Sequence, residues 1–334
     1  MEEALFWSVE QDLKVKCLLC PHECLIAPER TGICRVRKNL NGTLFSMVYG
    51  EPVACHSDPI EKKPLYHFYP GKQILSIGTF GCNFHCTFCQ NYHLSQKGQE
   101  SESRNKLQPE KLVRDAAAIP GNIGVAFTYN EPTVFYEYML DIGEAVHSSG
   151  MKNAMVSNGF INPEPLERLL PVIDSFNIDL KSFNDHFYRK LTGGRLGPVL
   201  ESLKTIVKAG KHLEITHLVI PGLNDSESEF LRLTDWILNE LGADVPLHLS
   251  RYFPAFELSI PPTPLSVIHH LASLATGKLH FVFTGNVNNN DFSSTFCPHC
   301  HASLIERQGY NVRVTGLTNE GKCMHCGAVL PIRM

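Results

Sequence analysis

The chain has 334 residues, 43% of them hydrophobic and 19% charged, with a formal net charge of −4. That length accommodates one large α/β domain with smaller appendages, and the charge leaves no electrostatic footprint for nucleic acid or an anionic membrane. No apolar run approaches the length of a bilayer span. The start, MEEALFWSVEQDLK, lacks a basic-then-apolar leader pattern, so a cytoplasmic, reducing location is expected. There, twelve cysteines are not read as six disulfides. They fall in groups of four, three and four, the layout of metal sites, and the lone Cys55 reads as a packed thiol.

Residues 1–70 form a cysteine-rich, metal-binding segment. The run CLLCPHECLIAPERTGICRVR sets Cys17, Cys20, Cys24 and Cys34 in a C-x2-C-x3-C-x9-C spacing, and Pro21, Pro28 and Gly32 mark it as loop. Four soft donors suit zinc or an iron–sulfur cluster; His22 reads as a neighbour rather than a ligand. NLNGTLFSMVYGEP predicts a hairpin about Asn41 and Gly42, followed by a polar connection to Tyr69, Pro70 and Gly71.

Residues 71–290 alternate between strands and helices. Apolar β runs fall at 74–77, 123–127, 152–156, 175–178, 213–219, 247–249 and 279–283, with amphipathic helices at 107–118, 133–148, 164–170, 199–209, 226–241 and 264–275. This predicts an α/β fold with a parallel sheet and right-handed crossovers. Six or seven strands point to an incomplete (β/α)6-type TIM barrel, whose chemistry belongs on the loops at the carboxyl ends of its strands. The unusual residues fall there. The cysteine loop follows the first run; TYNEPT, SNG, DLKSF, HLVIPGLND and HLSRYFP close the next five. SNG alone would be an ordinary turn, Asp225 a helix N-cap and Asp179 with Lys181 a strand-end salt bridge; the evidence is the ensemble.

The cysteine loop, GTFGCNFHCTFCQN, spaces Cys82, Cys86 and Cys89 as C-x3-C-x2-C. Three thiolates bind three irons of a [4Fe–4S] cubane and leave one iron open to an external molecule. The alternative is a structural zinc knot with His85 or His93 as the fourth ligand. In the tail, residues 291–334, Cys297/Cys300 and Cys323/Cys326 form two C-x2-C knuckles around short β-like runs. This is a zinc-ribbon-like layout with four cysteine ligands for zinc or a single iron; Arg307 and Arg313 are too few for a nucleic-acid patch.

The central spacing, with Phe88 before the last cysteine, resembles the signature of the radical S-adenosylmethionine (SAM) superfamily. The resemblance implies an open barrel, chelation of the open iron by the methionine moiety of SAM, and one-electron cleavage to a 5′-deoxyadenosyl radical that abstracts hydrogen from a substrate. On that footing Glu131, with the Tyr129 and Asn130 backbone, suits the ammonium; Lys181 suits the carboxylate; Asp179 and Asn158 suit the ribose; and the turn from Val219 to Gly222 suits the adenine. TYNEPT stands where the family has a GGE-type motif, with Tyr129 and Asn130 in place of two glycines. DLK resembles glycyl-radical activating enzymes, in particular pyruvate formate-lyase activating enzyme, which implies SAM contacts from Asp179 and Lys181 and a place for His248 near SAM and substrate. The two flanking cysteine groups and GNVNN at 285–289 resemble the radical SAM enzymes of the AmmeMemoRadiSam system, encoded with Memo-like and AMMECR-like proteins. The implied partners are SAM, an electron donor such as flavodoxin or ferredoxin, and those two proteins, with no nucleic acid and no membrane. Two other readings compete: a non-catalytic iron–sulfur electron carrier, which predicts a fourth cysteine at the central loop, and a metal-ribbon scaffold, which predicts neither Glu131 nor Lys181 at the strand ends.

Overall fold

The structure, a computed structural model, describes residues 1–98, 106–287 and 292–334. Its centre is an eight-stranded sheet. Strand β1 (Ala54–Pro59) runs antiparallel to β2 (Gln73–Gly78). From β2 every pairing is parallel, each strand beside its predecessor: β3 (Asn122–Phe127), β4 (Lys152–Ser157), β5 (Ser175–Asp179), β6 (His212–Val219), β7 (Leu247–Arg251) and β8 (Val282–Gly285). The crossovers carry helices α1 (Pro109–Ala117), α2 (Tyr136–Ser148), α3 (Pro163–Leu169), α4 (Leu196–Lys208), α5 (Glu227–Glu240) and α6 (Leu265–Thr276). The helices cover the outer face of the sheet and the barrel interior takes up the inner one, so β2 (QILSIG) is buried beyond its first residue.

The edges β1 and β8 do not pair with each other, so the barrel is incomplete, as expected. It is larger by β1, which lies within the segment read as a polar connection. Its ACHSDP has no alternating apolar pattern, because β1 is an edge strand with its middle exposed. Ser226, not Asp225, caps α5, accepting from the Glu229 N–H; Asp225 accepts from Gly222 N at 2.8 Å. Of GNVNN, Asn288 and Asn289 lie outside the described residues.

The N-terminal segment forms two three-stranded antiparallel sheets. One contains the expected hairpin, Arg37–Leu40 with Thr43–Ser46, turned by Asn41 and Gly42 at φ +52° and +90°. The segment is docked by Arg37, 1% exposed, which donates to both oxygens of Glu137 on α2 at 2.9 and 3.1 Å and to the Leu5 carbonyl at 2.6 Å.

The tail, a three-stranded sheet with Ser303–Gln308 at its centre, docks by Arg307. That guanidinium lies over the Tyr66 ring, 4.4 Å from its centroid, and donates to Tyr66 O and Thr295 Oγ1. Beside it the barrel interior holds Glu214 on β6, completely buried, which accepts from the Tyr66 and His67 N–H groups and contacts the Nε2 atoms of His212 and His248.

Candidate active site at the barrel mouth

Successive inward side chains on a strand alternate in height within a barrel. On β6, Thr216 and Leu218 lie above Glu214, and on β7, Ser250 lies above His248. The upper set walls a cavity of about 540 Å³ at the carboxyl ends of the strands. Cys82, Cys86 and Cys89 all reach it, as do Tyr129, Asn130, Glu131, Asn158, Asp179 and Lys181.

The cysteine loop leaves β2 through Gly78 and Gly81. At Gly81, φ is +91° and a Cβ would stand 2.7 Å from the Cys34 carbonyl oxygen, so glycine is required. Asn130 fixes the loop: its amide donates to the carbonyls of Phe80 and Gly81 at 3.2 and 2.8 Å, and its Oδ1 accepts from Thr79 N. Cys82 Sγ accepts from Phe84 N at 3.3 Å, and Cys89 Sγ lies 3.2 Å from Ser95 Oγ. Burial pushes the Cys82 thiol well above its ordinary range and that of Cys86 up to about 12. Thiols so placed become thiolates when a metal compensates their charge. Among the described residues no fourth cysteine and no histidine lines this cavity. His85 is not part of that lining, and its Nδ1 contacts Arg35 and Gln96 at 3.0 and 2.9 Å. Three soft donors and no fourth fit an iron–sulfur cubane with one iron free of protein ligands.

Glu131, at the end of β3, is buried and well partnered. Its Oε1 accepts from Thr133 N, Thr133 Oγ1 and Ser157 Oγ at 3.0, 2.7 and 2.7 Å, and its Oε2 from Asn158 N at 2.8 Å. Burial raises its pKa while these four donors pull the other way. With most acceptor positions used, Glu131 shapes the turn that carries Asn158, whose amide donates to Asn83 Oδ1 at 2.8 Å and lies 3.9 Å from Cys82 Sγ.

Across the cavity Lys181 Nζ contacts Asp179 Oδ2 at 2.9 Å. Burial alone would lower the Lys181 pKa; Asp179 and the neighbouring Cys86 sulfur outweigh it and raise it. A fixed cation thus stands beside the cysteines.

Tyr129 explains the departure from two glycines. Its φ of +71° is left-handed, the conformation a glycine takes freely and a tyrosine adopts at a cost of roughly 1–2 kcal/mol. Its hydroxyl donates to Asp58 on β1 at 2.5 Å, Lys63 Nζ lies 4.5 Å from its ring centroid, and its carbonyl accepts from Asn91 Nδ2 at 2.7 Å. Lys63 shares Asp58 Oδ2 with that hydroxyl at 2.7 Å, and Lys62 holds Oδ1 at 2.8 Å. Burial favours the protonated acid, yet the two lysines and Tyr129 hold Asp58 well below the usual carboxylate range.

Sequence reasoning missed Asp58, Lys62 and Lys63, whose one signal was Asp and Lys four apart in an apparent linker, and also Asn91 and Ser95. Two expected contacts lie elsewhere. His248 is 4% exposed, one layer below the cavity, with Nε2 2.6 Å from Glu214 and its ring between Tyr66 and Phe283. It sits at the second residue of β7, too early in the strand to reach the mouth. Val219 and Ile220 are completely buried; the wall there is Leu218.

The profile of the radical SAM superfamily matches residues 76–234, spanning the cysteine loop and the strand ends around this cavity. An uncharacterized protein of Methanocaldococcus jannaschii is 41% identical over 336 residues, covering 99% of both chains. The chain belongs to the radical SAM superfamily. Among other members, the pyruvate formate-lyase 1-activating enzyme of Escherichia coli is 26% identical over 160 residues, 47% of this chain and 65% of that enzyme. The benzylsuccinate synthase activating enzyme of Thauera aromatica is 29% identical over 107 residues, 32% of each. The chain thus spans less than two thirds of these activating enzymes. The crystal structure of Streptococcus suis SuiB bound to precursor peptide SuiA shares the fold, with a TM-score of 0.51 at 16% identity over 69% of this chain and 52% of that one.

In the radical SAM chain the four tail cysteines are grouped closely enough to hold a metal ion. Cys297 Sγ lies 3.7 Å from Cys326 Sγ and Cys300 Sγ 3.7 Å from Cys323 Sγ, and all four lie within 4.8 Å of one another. Tetrahedral zinc with bonds of about 2.3 Å sets its sulfurs roughly 3.8 Å apart, so the tail fits a single ion.

Proposed function

We propose that this radical SAM enzyme cleaves SAM reductively at a cluster held by Cys82, Cys86 and Cys89 and directs the resulting radical at hydrogen abstraction, in the manner of an activating enzyme. The observation that carries the reading is the convergence of three cysteines, with no fourth, on the cavity that also presents Lys181, Asp179 and Asn158. A [4Fe–4S] cluster held by these three cysteines would supply the electron for reductive cleavage of the SAM sulfonium. The chain's own residues bind and orient. Lys181 meets the methionine carboxylate, Asp179 and Asn158 the ribose hydroxyls, and the Tyr129 turn with Glu131 behind it the ammonium. Leu218, Val156 and Phe88 give the cavity an apolar wall, which excludes water from a reactive radical.

The reductant in this reading is a flavodoxin or a ferredoxin, and the tail tetrathiolate holds zinc as a structural cap. The substrate class is a glycyl residue of a partner protein or a small molecule reaching the same mouth. Anaerobically reconstituted protein with dithionite and SAM is expected to yield 5′-deoxyadenosine and methionine, and Cys86→Ala to yield neither. Turnover by Cys86→Ala would refute the assignment.

A further inference from the structure

Four cysteines outside the mouth converge on a second, small apolar cavity. Cys17 ends the strand Val15–Cys17, Cys20 and Cys24 follow on the next turn, and Cys34 arrives from the far side of the loop. Gly32 closes the cavity: a Cβ there would stand 3.6 Å from Cys24 Sγ. Cys17 and Cys34 are 6% and 8% exposed. Four cysteines lining one small cavity supply a full set of soft metal ligands.

Two observations narrow the group. The first is spacing. Unlike the tail quartet, this one is not drawn within 4.8 Å, and neither is the trio at the mouth. A single tetrahedral ion requires sulfurs roughly 3.8 Å apart; a polynuclear iron–sulfur core holds its thiolates farther apart. The second is a donor. Arg37 lines the same cavity, 1% exposed, and its Nε has no partner although its terminal nitrogens are satisfied by Glu137 and Leu5. A buried unpaired guanidinium N–H is costly, and the sulfurs of an anionic cluster are acceptors for it.

The quartet also abuts the mouth. Asn83, which follows Cys82, lines the quartet's cavity, and its carbonyl lies 2.7 Å from His22 Nε2. Gly81, which precedes Cys82, packs against the Cys34 carbonyl with no room for a Cβ. The two cysteine loops touch on both sides of Cys82.

We propose that Cys17, Cys20, Cys24 and Cys34 hold a second, fully cysteine-ligated iron–sulfur cluster, with Arg37 Nε donating to it, and that this cluster exchanges electrons with the one at the mouth. The site stands on its own geometry; the electron exchange rests on the reading of Cys82, Cys86 and Cys89 given above. In that exchange a low-potential one-electron donor reduces the N-terminal cluster by one electron, which passes to the mouth cluster; no bond is made or broken.

The test begins with iron and sulfide in the anaerobically reconstituted chain. Iron well above about four atoms, matched by sulfide, is expected, since one cubane accounts for four. Four or fewer, with none left once the three mouth cysteines are removed, overturns the second cluster. The Cys82→Ala/Cys86→Ala/Cys89→Ala variant leaves the quartet intact and is expected to keep iron, sulfide and a dithionite-induced EPR signal while making no 5′-deoxyadenosine. Zinc in place of that iron overturns the proposal, and iron equal to the parent's instead refutes the mouth reading. The quadruple serine variant at Cys17, Cys20, Cys24 and Cys34 is expected to lose the excess iron; should it fail to fold, the two preceding counts still decide. In the fully reduced parent, the EPR spectrum is expected to be broadened relative to the sum of the separate signals. A simple sum overturns electron exchange.

Discussion

Asp179 with Lys181, and Glu214 with His248, are two polar contacts inside one barrel, at 2.9 and 2.6 Å. One faces the mouth and the other lies a layer below. Glu214 is fully enclosed and has four partners, two of them backbone N–H groups from the segment before β2. Asp179 keeps 35% of its side chain exposed and borders an open cavity. The distances barely differ; the spare capacity does. A buried carboxylate with every acceptor position used joins elements together, whereas one with exposed oxygens can still receive a ligand. The floor is built to be closed and the mouth to be reached.

The largest effect expected from that contrast is at the floor. Glu214→Ala strips partners from two imidazoles and two backbone N–H groups, and removing one side of a buried polar network costs about 3–5 kcal/mol. The urea midpoint should fall accordingly. A variant as stable as the parent would break the comparison. At the mouth, Lys181→Met should behave oppositely: SAM affinity by equilibrium dialysis drops roughly 10–100-fold, as for loss of a charge-assisted contact of about 1.5–3 kcal/mol, while thermal unfolding stays near the parent's. Unfolding lowered as much as in Glu214→Ala would show Lys181 to be structural.

This contrast also marks how far the sequence could be read. The parallel strands and six crossover helices announce themselves because covered strands carry apolar runs and helices are amphipathic. The cysteine groups, Glu131, Asp179 and Lys181 are legible from spacing and from their place after apolar runs. Height within the barrel is not legible: His248 and Ser250 are two residues apart on β7, and only register decides that Ser250 reaches the cavity. Nor is the polar edge strand β1, whose ACHSDP has no periodic signal, or the clamp that Asp58 makes from it.

A third, intermediate effect is a pH dependence at the floor. His67 is completely buried, and burial lowers its pKa to about 3, with Nδ1 unpartnered. A histidine depressed in the folded chain binds its proton in the unfolded chain first, near 6.5. Its contribution is therefore fully present above about pH 6.5 and is lost as pH falls from there toward 3. Between pH 7 and pH 5 the loss is about 2 kcal/mol, read as a drop in urea midpoint. In His67→Phe that slope should flatten, whatever the variant's stability at neutral pH.

The smallest effect expected lies between the two regions, at Tyr129. The residue holds a left-handed φ of +71°, which the chain sustains through the hydroxyl bond to Asp58, the Lys63 contact and the Asn91 bond to its carbonyl. Tyr129→Phe removes only the first, leaving Asp58 with its two lysines. The cost should be about 1 kcal/mol, seen as a small fall in unfolding midpoint. Tyr129→Gly relieves the backbone but gives up the ring and the hydroxyl, and extra freedom in the unfolded chain offsets part of the relief. If the tyrosine positions the turn that meets the ammonium of SAM, both variants weaken SAM binding, and the glycine more so despite its easier backbone. Equal binding in all three would mean that the turn holds its shape from Asn130 and Glu131 alone.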